Sequence, residues 1–182
     1  MWKKLSSKVL FEHPRITLVE DSVRLPSGHE IEYLRWENIC DAVTIICRKN
    51  NKILLEQEYS YPVNAILWQF PGGKVDGNER PIDAANRELM EEVGYRANEL
   101  IPLGKYLISN RRTDAYMHVF LAKNLVEQSL NSGDIEETIE KKWLLVDEIK
   151  QLIASNEIVN PHALSSWCLY ENSQYAGGTQ NK

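Results

Sequence analysis

The sequence predicts an α+β fold in which a mixed β-sheet lies between helices, preceded by an N-terminal β-hairpin. Three observations predict it. Strand-like segments run from about Val9 to Tyr59, one amphipathic helix interrupts the strands near residue 81, and two helical segments close the chain after further strands. No internal repeat is visible. At 182 residues the chain is long enough for one well-formed core and too short for two ordinary domains.

Residues from about Val9 to Trp36 alternate and break at Pro26, Ser27 and Gly28, which predicts a hairpin with Ile16–Arg24 leading and Glu30–Trp36 returning. Ala42–Arg48 and Ile53–Tyr59 read as strands joined at Asn50 and Asn51, a residue type that tolerates positive φ. A helix is predicted over Pro81–Val93. Proline suits a first turn, where its missing N–H is not needed, and Gly94 can take the left-handed conformation that ends a helix. Leu103–Ser109, Tyr116–Ala122 and Trp143–Val146 read as further strands, and Val146–Ala154 and His162–Glu171 as helices.

Composition narrows the function classes. A formal charge of -5 and a pI near 5.5 argue against a dedicated nucleic-acid binder, which would show a basic face. Cys40, Cys47 and Cys168 are unpatterned, and Cys47 lies in an apolar run that predicts a small core residue. The opening MWKKLSSKV has lysines but no apolar segment of a secretion signal after them, and no window approaches a membrane span. A soluble cytoplasmic protein is expected.

The chemistry concentrates in the predicted helix. At about 100° per residue, Ile82, Ala85, Leu89 and Val93 share one arc, and Glu88, Glu91 and Glu92 fill the neighbouring one. Like charges three and four apart destabilise a helix by roughly a few tenths of a kcal/mol each, so stacking them on a partly buried edge calls for a cation. Oxygen donors with no His or Cys among them suit a hard ion, Mg2+ or Mn2+. Magnesium takes one or two carboxylates together with waters and substrate phosphate oxygens, so a phosphate-bearing substrate is expected. The alternative is a solvated acidic helix face, the usual meaning of an isolated EExxE run.

The stretch GGKVDGNERPIDAANRELMEEVGY carries more than that run. Gly73 is followed after five residues by Glu79, after seven more by Arg87, Glu88 and Leu89, and then by Glu91, Glu92 and Gly94. This resembles the Nudix hydrolase signature Gx5Ex7REUxEExGU, with U aliphatic, at every fixed position; only the last U departs, as Tyr95. The resemblance implies the α/β/α Nudix sandwich, with metal held by Glu88, Glu91, Glu92 and the Gly72 carbonyl and with Arg87 and Glu79 supporting the cluster. Arg87 brings a planar fork that fixes a carboxylate rotamer, and Gly72 and Gly73 are expected to let the backbone turn sharply towards an ion. Gly73, Glu79 and Gly94 are its structural positions.

VLFEHPRITLVEDSVRLPSG, KILLEQEYSYPV, LWQFPGG and HVFLA look like the ADP-ribose pyrophosphatase branch, which includes other nucleoside-diphosphate-sugar hydrolases. The resemblance implies a homodimer whose N-terminal region helps to build the partner's substrate pocket. The expected organisation is an N-terminal β extension over 1–40, a Nudix domain over 41–171 and a disordered tail over 172–182. The implied reaction is Mg2+-dependent hydrolysis of ADP-ribose to AMP and ribose 5-phosphate. Alternatives are GDP-mannose or another nucleotide sugar, a dinucleoside polyphosphate, NADH, or a non-catalytic nucleotide-sensing module.

The chain departs from that branch at Ser60, where an arginine is usual, at Gln69, where a glutamate is usual, and at SNRRTD, where a proline–glycine turn is usual. Arg111 and Arg112 either replace a phosphate contact, through guanidinium forks on diphosphate oxygens, or form a solvated basic loop. Trp36, Tyr59, Tyr61 and Trp68 flank the box; each is either core or a stacking surface for a base or sugar, with Trp68 the preferred candidate and Trp36 kept as a substrate contact. His118 reads as a satisfied core or edge histidine. A carboxylate that holds metal is a poor base, so the proton acceptor is expected in GDIEETIEKKW, with Glu137 first, Glu136 next and Glu140 third; Glu91 and Arg87 complete the catalytic set.

Overall fold

The computed structural model of the chain describes residues 1–128 and 138–176. It contains ten strands and three helices among those residues: β1 (Lys3–His13), β2 (Ile16–Arg24), β3 (Glu30–Glu37), β4 (Ala42–Lys49), β5 (Lys52–Ser60), β6 (Ala65–Gln69), β7 (Gly72–Lys74), α1 (Pro81–Val93), β8 (Tyr95–Leu107), β9 (Tyr116–Glu127), β10 (Thr138–Leu145), α2 (Val146–Ala154) and α3 (Pro161–Glu171). They fall into two compact units. One comprises Met1–Cys40 with Leu107–Tyr116; the other holds the rest.

The first unit is built on a three-stranded antiparallel sheet in the order β1–β2–β3. Its β2–β3 hairpin lies where alternation placed it, with Val19, Asp21 and Val23 buried on one face. β1 is an addition to the sequence-based reading. All eleven of its residues are exposed, so it carries no apolar alternation to reveal it.

The second unit is an α+β sandwich. Its mixed sheet runs β10–β5–β4–β9–β8, with β6 paired to β5 and β7 to β4. β4 and β9 are parallel, and β4 pairs antiparallel with β5 and β7. Alternation along β4 and β5 sends side chains to both faces, each covered by helix. Val43, Ile45, Cys47 and Leu54 pack with Ala84, Ala85 and Leu89 of α1. Ile46, Ile53 and Leu55 pack on the other face with Ile149 of α2 and with Ala163, Trp167 and Tyr170 of α3. Cys47 is accordingly a buried core residue, its thiol pushed up by burial.

Helix α1 starts at Pro81 and stops at Gly94, which sits at φ 72° and donates its N–H to the Leu89 and Met90 carbonyls. That left-handed residue is the point where glycine is needed for its freedom. Asn50, at φ 57°, makes the β4–β5 turn. Among residues 172–176, Tyr175 contacts this unit: Arg48 donates to its carbonyl, and Lys123 lies 4.6 Å from the centre of its ring.

Candidate active site

The box helix gathers its carboxylates around one guanidinium. Arg87 donates from Nε and Nη2 to Glu79 at 3.2 and 3.0 Å, and from Nη1 to Glu88 at 2.8 Å and Glu91 at 3.1 Å. Nη2 also reaches the Lys74 carbonyl at 2.8 Å, which ties the helix to β7. A planar fork can serve this many acceptors at once, and the charge on Arg87 offsets part of the repulsion within the cluster. Glu88 is the more enclosed of its two helix partners, with 13% of its side chain exposed against 57% for Glu91.

Gly72 and Gly73 do not turn the backbone sharply, as the sequence had suggested: they lie in strand β7, and neither has a positive φ. Their requirement is closeness. A Cβ on Gly72 would sit 2.1 Å from the Val43 carbonyl oxygen of the adjacent strand, and one on Gly73 would sit 2.3 Å from Oε1 of Glu88. The Gly72 N–H donates to Oε2 of Glu92 at 2.9 Å. So β7 presses against the acidic edge of α1, and only glycine leaves room there.

Burial sets the electrostatics. It pushes the Glu92 carboxyl up to about 8, helped by the charge on Glu56 and opposed by the Gly72 N–H. Glu88 is raised as well, by burial, with Arg87 pulling the other way, and Glu56 is raised by burial too. Among the described residues, no three His, Cys, Asp or Glu side chains are already drawn around a point that could hold a metal ion. The residues nonetheless fit a hard divalent cation. The donors are all oxygen, several have their pKa raised by burial, so that a cation would favour their charged form, and one buried carboxylate oxygen, Oε2 of Glu56, has no hydrogen-bond partner.

A second gathering lies in the first unit. Trp36, Arg111 and Arg112 line one cavity of about 520 Å3, with Tyr33, Arg35 and Asp114. Two of these residues also build it: the Trp36 N–H donates to the Arg112 carbonyl at 2.6 Å, and Arg112 Nη1 donates to the Leu34 carbonyl at 2.9 Å. Arg111 offers its carbonyl to Tyr33 Oη at 2.8 Å, and its residue is exposed. Sequence reasoning missed Arg35, whose Nε donates to buried Asp21 at 2.5 Å and holds that carboxyl below its usual range. The signal was present as an acid and a base at inward and neighbouring positions of an alternating hairpin.

Other sequence candidates are not gathered with the box carboxylates. Trp68 packs against the core beneath α2 and α3, whereas Gln69, one residue on, meets Glu56 on the α1 side. Trp68 instead lines a groove of about 430 Å3 with Lys142, Leu152 and Glu157, and Lys142 Nζ lies 5.8 Å from its ring centre. Tyr59 donates to Asn64 at 2.8 Å, and Tyr61 is 83% exposed. His118 sits 2.8 Å from Asp41. Glu140 pairs with Lys142 at 2.8 Å; Glu136 and Glu137 lie outside the described residues.

The sandwich and its box-bearing helix define a pyrophosphohydrolase. The chain belongs to the Nudix family: the NUDIX domain model matches residues 38–164. A second model, the nucleoside diphosphate sugar hydrolase N-terminal domain, matches residues 2–33. The chain is 30% identical over 160 residues to a methanol dehydrogenase activator of Bacillus methanolicus, covering 86% of this chain and 85% of that one. It is 26% identical over 157 residues to an ADP-ribose pyrophosphatase of Bacillus subtilis strain 168, with the same coverage. A crystal structure of an ADP compounds hydrolase superposes with a TM-score of 0.85 at 23% identity, covering 93% of this chain and 92% of that one, which shows a shared fold.

Proposed function

We propose that this chain hydrolyses the diphosphate bond of a nucleoside diphosphate derivative with Mg2+ or Mn2+, and that ADP-ribose, cleaved to AMP and ribose 5-phosphate, is its foremost substrate. The observation that carries this reading is the acidic edge of α1, held by Arg87 and pressed against Gly72 and Gly73. Glu88, Glu91, Glu92 and the Gly72 carbonyl are the groups that would hold the ions, with Arg87 and Glu79 keeping the carboxylates in place. Bound there, a divalent ion supplies charge neutralisation for the diphosphate and lowers the pKa of the attacking water. The proton then needs a carboxylate free of metal, for which Glu137 is the first candidate, Glu136 the second and Glu140 the third.

Support for ADP-ribose comes from the names of relatives, a Bacillus subtilis ADP-ribose pyrophosphatase among them, and from the match of residues 2–33 to the N-terminal domain of nucleoside diphosphate sugar hydrolases. The cavity holding Trp36, Arg111 and Arg112 offers an aromatic face and guanidinium groups, the chemistry that a base and a diphosphate require. The reading includes a cytoplasmic homodimer formed through residues 1–40. Exposed Trp2, Leu5, Val9, Leu10 and Phe11 on and beside β1 are apolar surface that a second copy would cover.

The test is a substrate panel with Mg2+: ADP-ribose, GDP-mannose, NADH and diadenosine polyphosphates, with products resolved by chromatography. Fastest turnover of ADP-ribose supports the full reading. Preference for another compound moves the substrate and keeps the chemistry, whereas no turnover of any diphosphate rejects it.

A further inference from the structure

Strand β5 reads KILLEQEYS, and its alternation places one acid where an apolar residue would be expected. Ile53 and Leu55 face α2 and α3, while Leu54 faces α1. Glu56 continues the α1 side and is 1% exposed. Its Oε1 accepts from Gln69 Nε2 at 3.3 Å, a contact from the neighbouring strand that helps to fix the rotamer. Its Oε2 is buried and has no partner. Lys141 stands directly opposite Glu56 on β10, yet its ammonium donates to the Glu92 carbonyl.

Oε2 therefore meets no hydrogen-bond donor, and a buried carboxylate oxygen with neither donor nor cation is costly. Glu92, on α1, lies on the same side of the sheet. The charges of Glu56 and Glu92 act on one another, and Glu92 is the acid that Gly72 holds. A divalent cation between the two would satisfy the orphan oxygen and remove the repulsion together.

We propose that Glu56, through Oε2, is a further oxygen donor to the divalent cation held by the acidic edge of α1, reaching it from the floor of the sheet. The proposal rests on the cation site described under the proposed function. It adds a donor outside the box, supplied by a strand, with Gln69 as its positioning partner. Gln69 in turn accepts from Asn160 Nδ2 at 3.4 Å, so the positioning runs back to the cap of α3.

The experiment is Mn2+ binding to the full chain, followed by electron paramagnetic resonance of free Mn2+, for wild type, Glu56→Gln and Glu92→Gln, with the metal-free Tm of each. Glu56→Gln keeps the shape of the side chain and removes its charge. It is expected to weaken Mn2+ binding ten-fold or more while its metal-free Tm equals or exceeds that of wild type. Unchanged affinity in Glu56→Gln, with binding lost in Glu92→Gln, overturns the role of Glu56 and leaves the cation site standing. Failure of the wild type to bind Mn2+ overturns both. Should Glu56→Gln misfold, Glu56→Met fills the same space without polar atoms and is read by the same criterion.

Discussion

A methyl group on Gly73 would sit 2.3 Å from Oε1 of Glu88, so the Glu88 carboxylate occupies the space that any side chain at position 73 would need. One residue earlier the obstacle is different, because a methyl on Gly72 would meet the Val43 backbone oxygen at 2.1 Å. A carboxylate can swing aside; a strand carbonyl cannot. Gly73→Ala should therefore fold with a Tm close to wild type and lose divalent-ion affinity, as Glu88 is pushed out. Gly72→Ala should lose about 1–3 kcal/mol of stability by overpacking the strand pair. Thermal melts beside Mn2+ titrations separate the two, and equal Tm losses would contradict the distinction.

Arg87 serves Glu79, Glu88, Glu91 and the Lys74 carbonyl at once. A lysine keeps the charge and loses the fork. Arg87→Lys is expected to lower turnover about 10–100-fold, as loss of a group that orients metal-holding carboxylates does. Steady-state kinetics in saturating Mg2+ checks it. Wild-type kcat in the variant would show that charge alone suffices.

The cluster also predicts how stability depends on pH. Glu92 is pushed up to about 8 from an ordinary value of 4.5, and Glu56 and Glu88 move in the same direction. A carboxyl raised on folding stabilises the folded state while it is protonated. Its contribution is complete below about pH 4.5, declines as pH rises, and is gone above about pH 8. Asp21, Glu79 and Asp83 are held below their ordinary values and their contributions change below this window, whereas burial lowers His162 from 6.5, so its contribution grows as pH rises towards that value and opposes part of the fall. Without divalent ions the Tm should fall between about pH 5 and 8, and saturating Mg2+ should flatten the fall. A Tm that rises across the window in EDTA would contradict it.

Arg111 and Arg112 are expected to part company. The Arg112 side chain clips the Leu34 carbonyl, so Arg112→Ala should cost about 1 kcal/mol of stability. The Arg111 residue is exposed in the cavity, and Arg111→Ala should raise KM for ADP-ribose with Tm unchanged. Melting curves and KM values for the pair decide this; an unchanged KM in Arg111→Ala would leave Arg111 as a solvated loop residue.

What the sequence revealed and what it hid have physical causes. The ends of α1 were legible because Pro81 and Gly94 have backbone reasons to stand there, and the β2–β3 hairpin because one face is buried. β1 was hidden because none of Lys3–His13 is buried, and β7 because two of its three residues have no side chain to alternate. The box carboxylates were visible as a spacing. Glu56 was missed although an acid following Ile53, Leu54 and Leu55 in a strand is the kind of buried charge that calls for a partner. The partnership of Gly73 with Glu88 was unreadable, since it depends on how closely β7 approaches α1.

The central claim is that divalent ions held on the acidic edge of α1 drive hydrolysis of a diphosphate bond. The most direct measurement is turnover of ADP-ribose by wild type and Glu92→Gln, each with Mg2+ and with EDTA, scored as AMP and ribose 5-phosphate released. Wild type should turn over with Mg2+ alone, and Glu92→Gln should be slower by about 100-fold or more, in line with losing a group on which the reaction depends. Equal turnover by the variant, or wild-type turnover undiminished in EDTA, would contradict the claim.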